Sequence, residues 1–81
     1  MMQTIFVMVK CELGRTYDVA DAAVQRIDAV SEVHSISGQY DLLMKFYLDD
    51  QADIGRFING QVQTLDGVKD TVTIIAYKAF T

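Results

Sequence analysis

The sequence predicts an α+β domain: one four-stranded antiparallel sheet with two helices on one of its faces. Three observations lead there. Four stretches are rich in β-branched and aromatic residues, and two carry apolar residues at helical spacing. The six alternate as strand, helix, strand, strand, helix, strand. A strand–helix–strand unit followed by a hairpin and repeated is the split arrangement of ferredoxin-like domains, βαββαβ.

Residues 4–12 (TIFVMVKCE) read as the first strand. Ile5, Val7, Val9 and Cys11 share one face, and Thr4, Phe6, Met8 and Lys10 the other. Both are largely apolar, unlike an antiparallel strand with one wet face. Gly14-Arg15 breaks it. Thr16 is a suitable N-cap, and Asp18 lies in the first turn, where the helix dipole favours a carboxylate. Val19, Ala22, Ala23, Ile27 and Val30 then recur at helical spacing, with Asp18, Asp21, Gln25 and Asp28 opposite, so an amphipathic helix is expected over 17–29.

Residues 33–38 and 40–48 are expected to be antiparallel neighbours joined by a tight turn at Gly38-Gln39. Tyr40, Leu42, Met44, Phe46 and Leu48 share one face, and Asp41, Leu43, Lys45 and Tyr47 the other. Asp49-Asp50 offers an N-cap for a second helix over 51–65, with an apolar stripe of Ile54, Phe57, Ile58, Val62 and Leu65. Gly55 and Gly60 inside it each cost about 1 kcal/mol relative to Ala, so this helix depends on packing. Asp66-Gly67 supplies the stop. Residues 68–80 read as the last strand, with Val72, Ile74 and Ala76 on one face and Thr71, Thr73, Ile75 and Tyr77 on the other. Right-handed crossovers place the first and third strands in the middle.

Composition bounds the rest. With 81 residues, a single domain spanning 1–81 is expected. A chain of this size buries only about 60% of its unfolded surface, so its stability margin is thin. One cysteine rules out an internal disulfide, and one cysteine with one histidine makes poor material for a metal staple, so no metal or other cofactor is expected. Seven Lys and Arg against eleven Asp and Glu leave a formal charge of −4 and no basic run, which argues against direct nucleic-acid binding. No signal peptide or membrane span is evident, so a cytoplasmic protein is expected.

Helices cover only one face of such a sheet, yet every strand has apolar residues for the other. Left wet, that face would be a patch of several hundred Å², of a kind that soluble monomers rarely expose. A second copy, sheet against sheet, is the simplest cover.

The stretch Val30-Ser31-Glu32-Val33-His34-Ser35-Ile36-Ser37-Gly38-Gln39-Tyr40-Asp41-Leu42-Leu43 resembles the central signature of the effector-binding domain of Lrp/AsnC transcriptional regulators. Its elements there are a valine, a strand, Gly-x-Tyr/Phe-Asp and an apolar run. Leu65-Asp66-Gly67-Val68-Lys69-Asp70-Thr71-Val72-Thr73 is similar to that family's last turn and strand, where proline often replaces Asp66. The resemblance covers nearly all 81 residues but includes no counterpart of the family's helix-turn-helix, so the chain looks like a stand-alone effector domain. It implies a dimeric α+β barrel formed by facing sheets, and assembly of dimers into a ring such as an octamer or decamer. It also implies a small amino-acid-like effector bound between dimers; such a module could act by co-assembling with full-length Lrp/AsnC regulators.

An amino acid needs N–H donors or hydroxyls for its carboxylate, and a carboxylate or carbonyls for its ammonium. Gly38 can expose backbone amides near Gln39 and Tyr40, and Asp41 offers a carboxylate. Carried over from the family, Gly38, Gln39, Tyr40 and Asp41 map to the effector-contacting hairpin, and Thr71 and Thr73 to hydroxyls on the last strand. Each has a plainer reading: Asp41 as a turn-backbone acceptor, Tyr40 as interface packing, the threonines as ordinary strand residues. Gln61 and Gln63 carry no signal. A small oxygenase- or isomerase-like enzyme is the alternative function. It would need a histidine with an acidic partner inside a pocket. His34 has none in evidence, since Glu32 lies two residues back on the same strand face. No catalytic residue is assigned.

Overall fold

Alternating β-branched and apolar residues near the amino terminus form one ten-residue strand, β1 (Met2–Cys11), and the rest of the sheet is laid on either side of it. The computed structural model describes residues 2–81. After β1 come α1 (Thr16–Arg26), β2 (Val30–Ser35), β3 (Leu42–Asp49), α2 (Ile54–Phe57) with a π-helical continuation (Ile58–Val62), and β4 (Val68–Ala76). The sheet order is β2-β3-β1-β4 with every neighbouring pair antiparallel, so β1 and β3 are central as the crossover rule requires.

Register assigns the faces. Ile5 lies opposite Phe46 and Ile75, and Val7 opposite Met44 and Thr73. This face meets the helices. Ile5, Val7, Val9, Leu42, Met44 and Phe46 are fully buried there with Val19 and Ala23 of α1 and Val62 of the π turn, and Phe57 of α2 is buried beside them. Phe46 and Phe57 meet edge to face, 5.0 Å between centroids. The other face carries Phe6 opposite Lys45 and Ile74, and Met8 opposite Leu43 and Val72. No helix covers it.

Several boundaries depart from the sequence reading. Thr16 is the first helical residue, not the cap. Arg15 occupies the cap position without a side-chain cap bond. The helix stops at Arg26 instead of running to 29, because Ile27 turns extended and the backbone of Ala29 and Val30 finds partners in β3. Val30 is therefore an edge-strand residue opposite Phe46, not part of the helical stripe.

The second helix begins at Asp53, whose side chain accepts from the Arg56 amide at 3.1 Å, and not at Asp49-Asp50. Only four residues are α-helical. The π turn that follows is closed by Gln63 N–H to Ile58 O at 2.8 Å. Its wider turn brings Phe57, Ile58, Val62 and Leu65 all into the core, while Gly60 lies on its exposed side. The last strand ends at Ala76, short of 80.

Candidate functional site

The tight turn expected at Gly38-Gln39 is a six-residue loop, 36–41, so Tyr40 and Asp41 precede β3 instead of starting it. The loop closes on itself through Ile36 N–H to Asp41 O at 2.9 Å. Gly38 takes φ +105°, a backbone conformation open to glycine and strained for other residues. The amides of Ser37, Gly38, Gln39 and Tyr40 donate to no main-chain acceptor among the described residues.

Asp41 is what fixes this loop to the sheet. Its N–H donates to Val9 O at 2.9 Å, extending the β1–β3 ladder by one step. Its Oδ2 then accepts from Cys11 N–H at 2.8 Å, so a carboxylate takes the place the next carbonyl would fill. Lys10 Nζ donates to Gln39 O at 3.0 Å from the same strand end. The Asp41 carboxylate is thus anchored to another strand's backbone, not to its own turn. The Cys11 thiol beside it is pushed above its ordinary pKa, first by burial and then by the Asp41 charge, with the Thr16 hydroxyl and Lys10 acting in the opposite sense.

Thr71 and Thr73 stand on the helix-facing side of β4, half-buried, opposite Val9 and Val7. The structure therefore brings Gly38, Gln39, Tyr40 and Asp41 together. It places Thr71 at the same end of the sheet, one strand away across β1, and Thr73 two residues further in. Thr71 Oγ1 accepts from Gln63 Nε2 at 2.9 Å. Gln63, assigned no role from sequence, thus ties the π turn to β4. The contact spans eight residues across a turn, and local pattern gives no sign of it.

A second cluster was also missed. His34 Nε2 lies 2.9 Å from Glu32 Oε1, correcting the expectation that His34 has no partner: residues two apart on a strand share a face and their side chains meet. Lys45 Nζ reaches Glu32 Oε2 at 3.5 Å and lies 5.0 Å from the Tyr47 ring centroid. Glu32 is held below the usual carboxylate range by its bond to His34 and then by Lys45, and Lys45 is raised mainly through Tyr47. Both His34 and Glu32 are exposed on the outer strand, so nothing there excludes water. A cleft of about 870 Å³ lies elsewhere on the uncovered face, beside the start of β1 and lined by Gln3, Phe6, Lys45 and Tyr47, and none of the six candidate residues borders it. Among the described residues no group of three or more His, Cys, Asp or Glu is placed to hold a metal ion.

A profile of the Lrp/AsnC ligand binding domain matches residues 4–81. The chain belongs to this family. It is 30% identical over 76 residues to an uncharacterized HTH-type transcriptional regulator of Pyrococcus horikoshii, covering 91% of this chain and 51% of that one. The leucine-responsive regulatory protein of Salmonella typhimurium is 29% identical over 76 residues, covering 89% of this chain and 46% of that protein. The chain spans about half the length of the curated relatives it matches. The crystal structure of TTHA0845 from Thermus thermophilus is similar with a TM-score of 0.88 at 29% identity, covering 99% of both chains. The structural likeness agrees with the ferredoxin-like βαββαβ fold of this Lrp/AsnC domain, and the Pyrococcus relative carries the name of a transcriptional regulator. No helix among the described residues is long and apolar enough to cross a membrane.

Proposed function

We propose that residues 1–81 form one non-enzymatic, cytoplasmic module that binds a small amino-acid-like effector, oligomerises, and modulates transcription by co-assembling with full-length Lrp/AsnC regulators. The observation that carries the effector reading is the 36–41 loop. It offers untied amides at Gly38, Gln39 and Tyr40 to a carboxylate, next to an Asp41 held at a strand end. That pairing of donors and one carboxylate suits a zwitterion. The leucine-responsive name of the Salmonella relative supports the amino-acid class. Thr71 would contribute only from a neighbouring copy or by releasing Gln63, and Thr73 is the weaker candidate of the two.

Oligomerisation rests on the uncovered sheet face. Phe6, Met8, Leu43, Val72 and Ile74 lie there without a helix above them, and Tyr47 and Ile74 are each more than 40% exposed. Two such faces stacked about 10 Å apart would bury both and give the dimeric α+β barrel. With the loops on the rim of each dimer, association of dimers into a ring would bring effector loops together. The exposed His34–Glu32 pair gives an enzyme a histidine with an acidic partner but no enclosed pocket, and the sensing reading is preferred.

The test is a thermal-shift screen of the twenty amino acids with sedimentation read in parallel. A true effector at a hundredfold excess over Kd adds about 2.7 kcal/mol through RT ln(1 + [L]/Kd). Asp41→Asn should remove that stabilisation while keeping an acceptor for Cys11 N–H. If no amino acid shifts either the melting or the assembly, effector sensing is refuted.

A further inference from the structure

The β1–β4 ladder stops at Thr4 opposite Ala76, although β1 continues to Gln3 and Met2, which pair with β3 on the other side. Segment 77–81 therefore leaves the sheet while two more ladder positions are on offer. It carries two aromatics that its own chain does not bury: Tyr77 is 96% exposed and Phe80 87%. Lys78 Nζ lies 5.5 Å from the Phe80 ring. The segment forms one wall of the 870 Å³ cleft, with Thr4, Phe6, Lys45 and Tyr47 as the floor. That floor holds a fixed cation among rings, Lys45 Nζ being 5.8 Å from Phe6 and 5.0 Å from Tyr47, a surface on which further aromatic rings pack well.

We propose that segment 77–81 is an arm that crosses to a second copy of this chain and lays Tyr77 and Phe80 on the Phe6–Lys45–Tyr47 surface of that copy. The proposal rests on the facing-sheet dimer proposed above and adds the element that clamps it. Reach allows it: five residues at 3.3–3.6 Å each extend about 17 Å, against a separation of about 10 Å between packed sheets. Two-fold symmetry makes the contact reciprocal, so each dimer has two arms and each cleft receives one. The arm also accounts for the early end of β4: pairing with Gln3 would hold Tyr77 in its own sheet.

Three samples test this by sedimentation equilibrium and cross-linking. They are the parent chain, a chain ending at Ala76, and the double variant Tyr77→Ala with Phe80→Ala. Both altered chains should keep the parent far-UV circular dichroism and dimerise with a Kd raised at least tenfold. The parent with p-benzoylphenylalanine in place of Phe80 should, on irradiation, form covalent dimers joined to the peptides containing Phe6 or Tyr47. A dimeric parent whose altered chains stay within twofold of its Kd, or whose cross-links form within one chain, overturns the arm alone. A parent that stays monomeric overturns the facing-sheet dimer and the arm with it.

Discussion

Replacing Asp41 by alanine tests the central construction of the loop. The carboxylate accepts from Cys11 N–H at 2.8 Å in a half-buried position, at the point where the β1–β3 ladder runs out of carbonyls. A hydrogen bond to a charged acceptor contributes about 1.5–3 kcal/mol, and leaving a partly buried amide without a partner costs a similar amount. Solvent access at this strand end takes the expectation to the middle of that range, about 2 kcal/mol. Asparagine keeps an oxygen in place and loses only the charge assistance, so about 1 kcal/mol is expected. For a domain of this size each kcal/mol moves Tm by about 4–8 °C, giving a drop of roughly 8–16 °C for alanine and half of that for asparagine. The assay is urea unfolding and thermal melting of the three proteins at pH 7 and one fixed protein concentration, because dimerisation makes Tm depend on concentration. An alanine variant within 0.5 kcal/mol of the parent, or an asparagine variant as damaged as alanine, would refute the idea that this carboxylate completes the ladder.

Three further outcomes are expected. Gly67→Ala should cost more than Gly38→Ala: both have positive φ, but a Cβ at Gly67 would lie 3.0 Å from Val19 Cγ2 and 3.1 Å from Arg15 Cβ, whereas none of the described atoms lies within 4 Å at Gly38. Chemical denaturation should place the first near about 2–3 kcal/mol and the second near about 1. Phe46→Ala removes a fully buried ring packed edge to face against Phe57 and should cost about 3–5 kcal/mol, enough to leave an 81-residue domain largely unfolded by circular dichroism at 25 °C. Glu32 is held below its ordinary pKa by His34 and Lys45. Its contribution is therefore present above the usual glutamate range and lost as pH falls through and below that range, so Glu32→Gln should differ slightly from the parent at pH 7 and merge with it near pH 3. A difference that persists unchanged at pH 3 would show that packing, not charge, sets the effect.

Strand identity and sheet order were legible because both faces of β1 and β3 are apolar, a pattern that only a covered central strand satisfies. Helix ends were less legible. Val30 continues the helical spacing of Val19 and Ile27, and only its pairing with Phe46 makes it a strand residue. Asp49, Asp50 and Asp53 are all chemically fit to cap α2, and the choice falls to the position that lets Phe57 reach Phe46. The π turn has no pattern of its own, since Gly60 reads equally as a helix weakness. At the candidate site, the polar loop and its glycine could be read directly. The bond from Cys11 N–H to Asp41 could not, because it joins residues 30 apart in sequence and depends on where the ladder ends. The His34–Glu32 pair was within reach of the alternation rule and needed only the allowance that long side chains two residues apart can meet.

The position of β1 has a consequence for how the chain comes to be folded. It precedes the other three strands in chain order, yet it lies between β3 and β4, with Thr4 facing Tyr47 on one side and Ala76 on the other. Those partners lie about forty and seventy residues downstream, so each ladder carries its own loop-closure cost, the one with β4 spanning more chain. A strand apolar on both faces gains one flank from β3, with β2 beyond it, and its other flank stays open until β4 joins. The four-stranded sheet is complete only once β4 is in place. Truncation within that last strand would turn β1, a strand apolar on both faces, into an exposed and aggregation-prone edge.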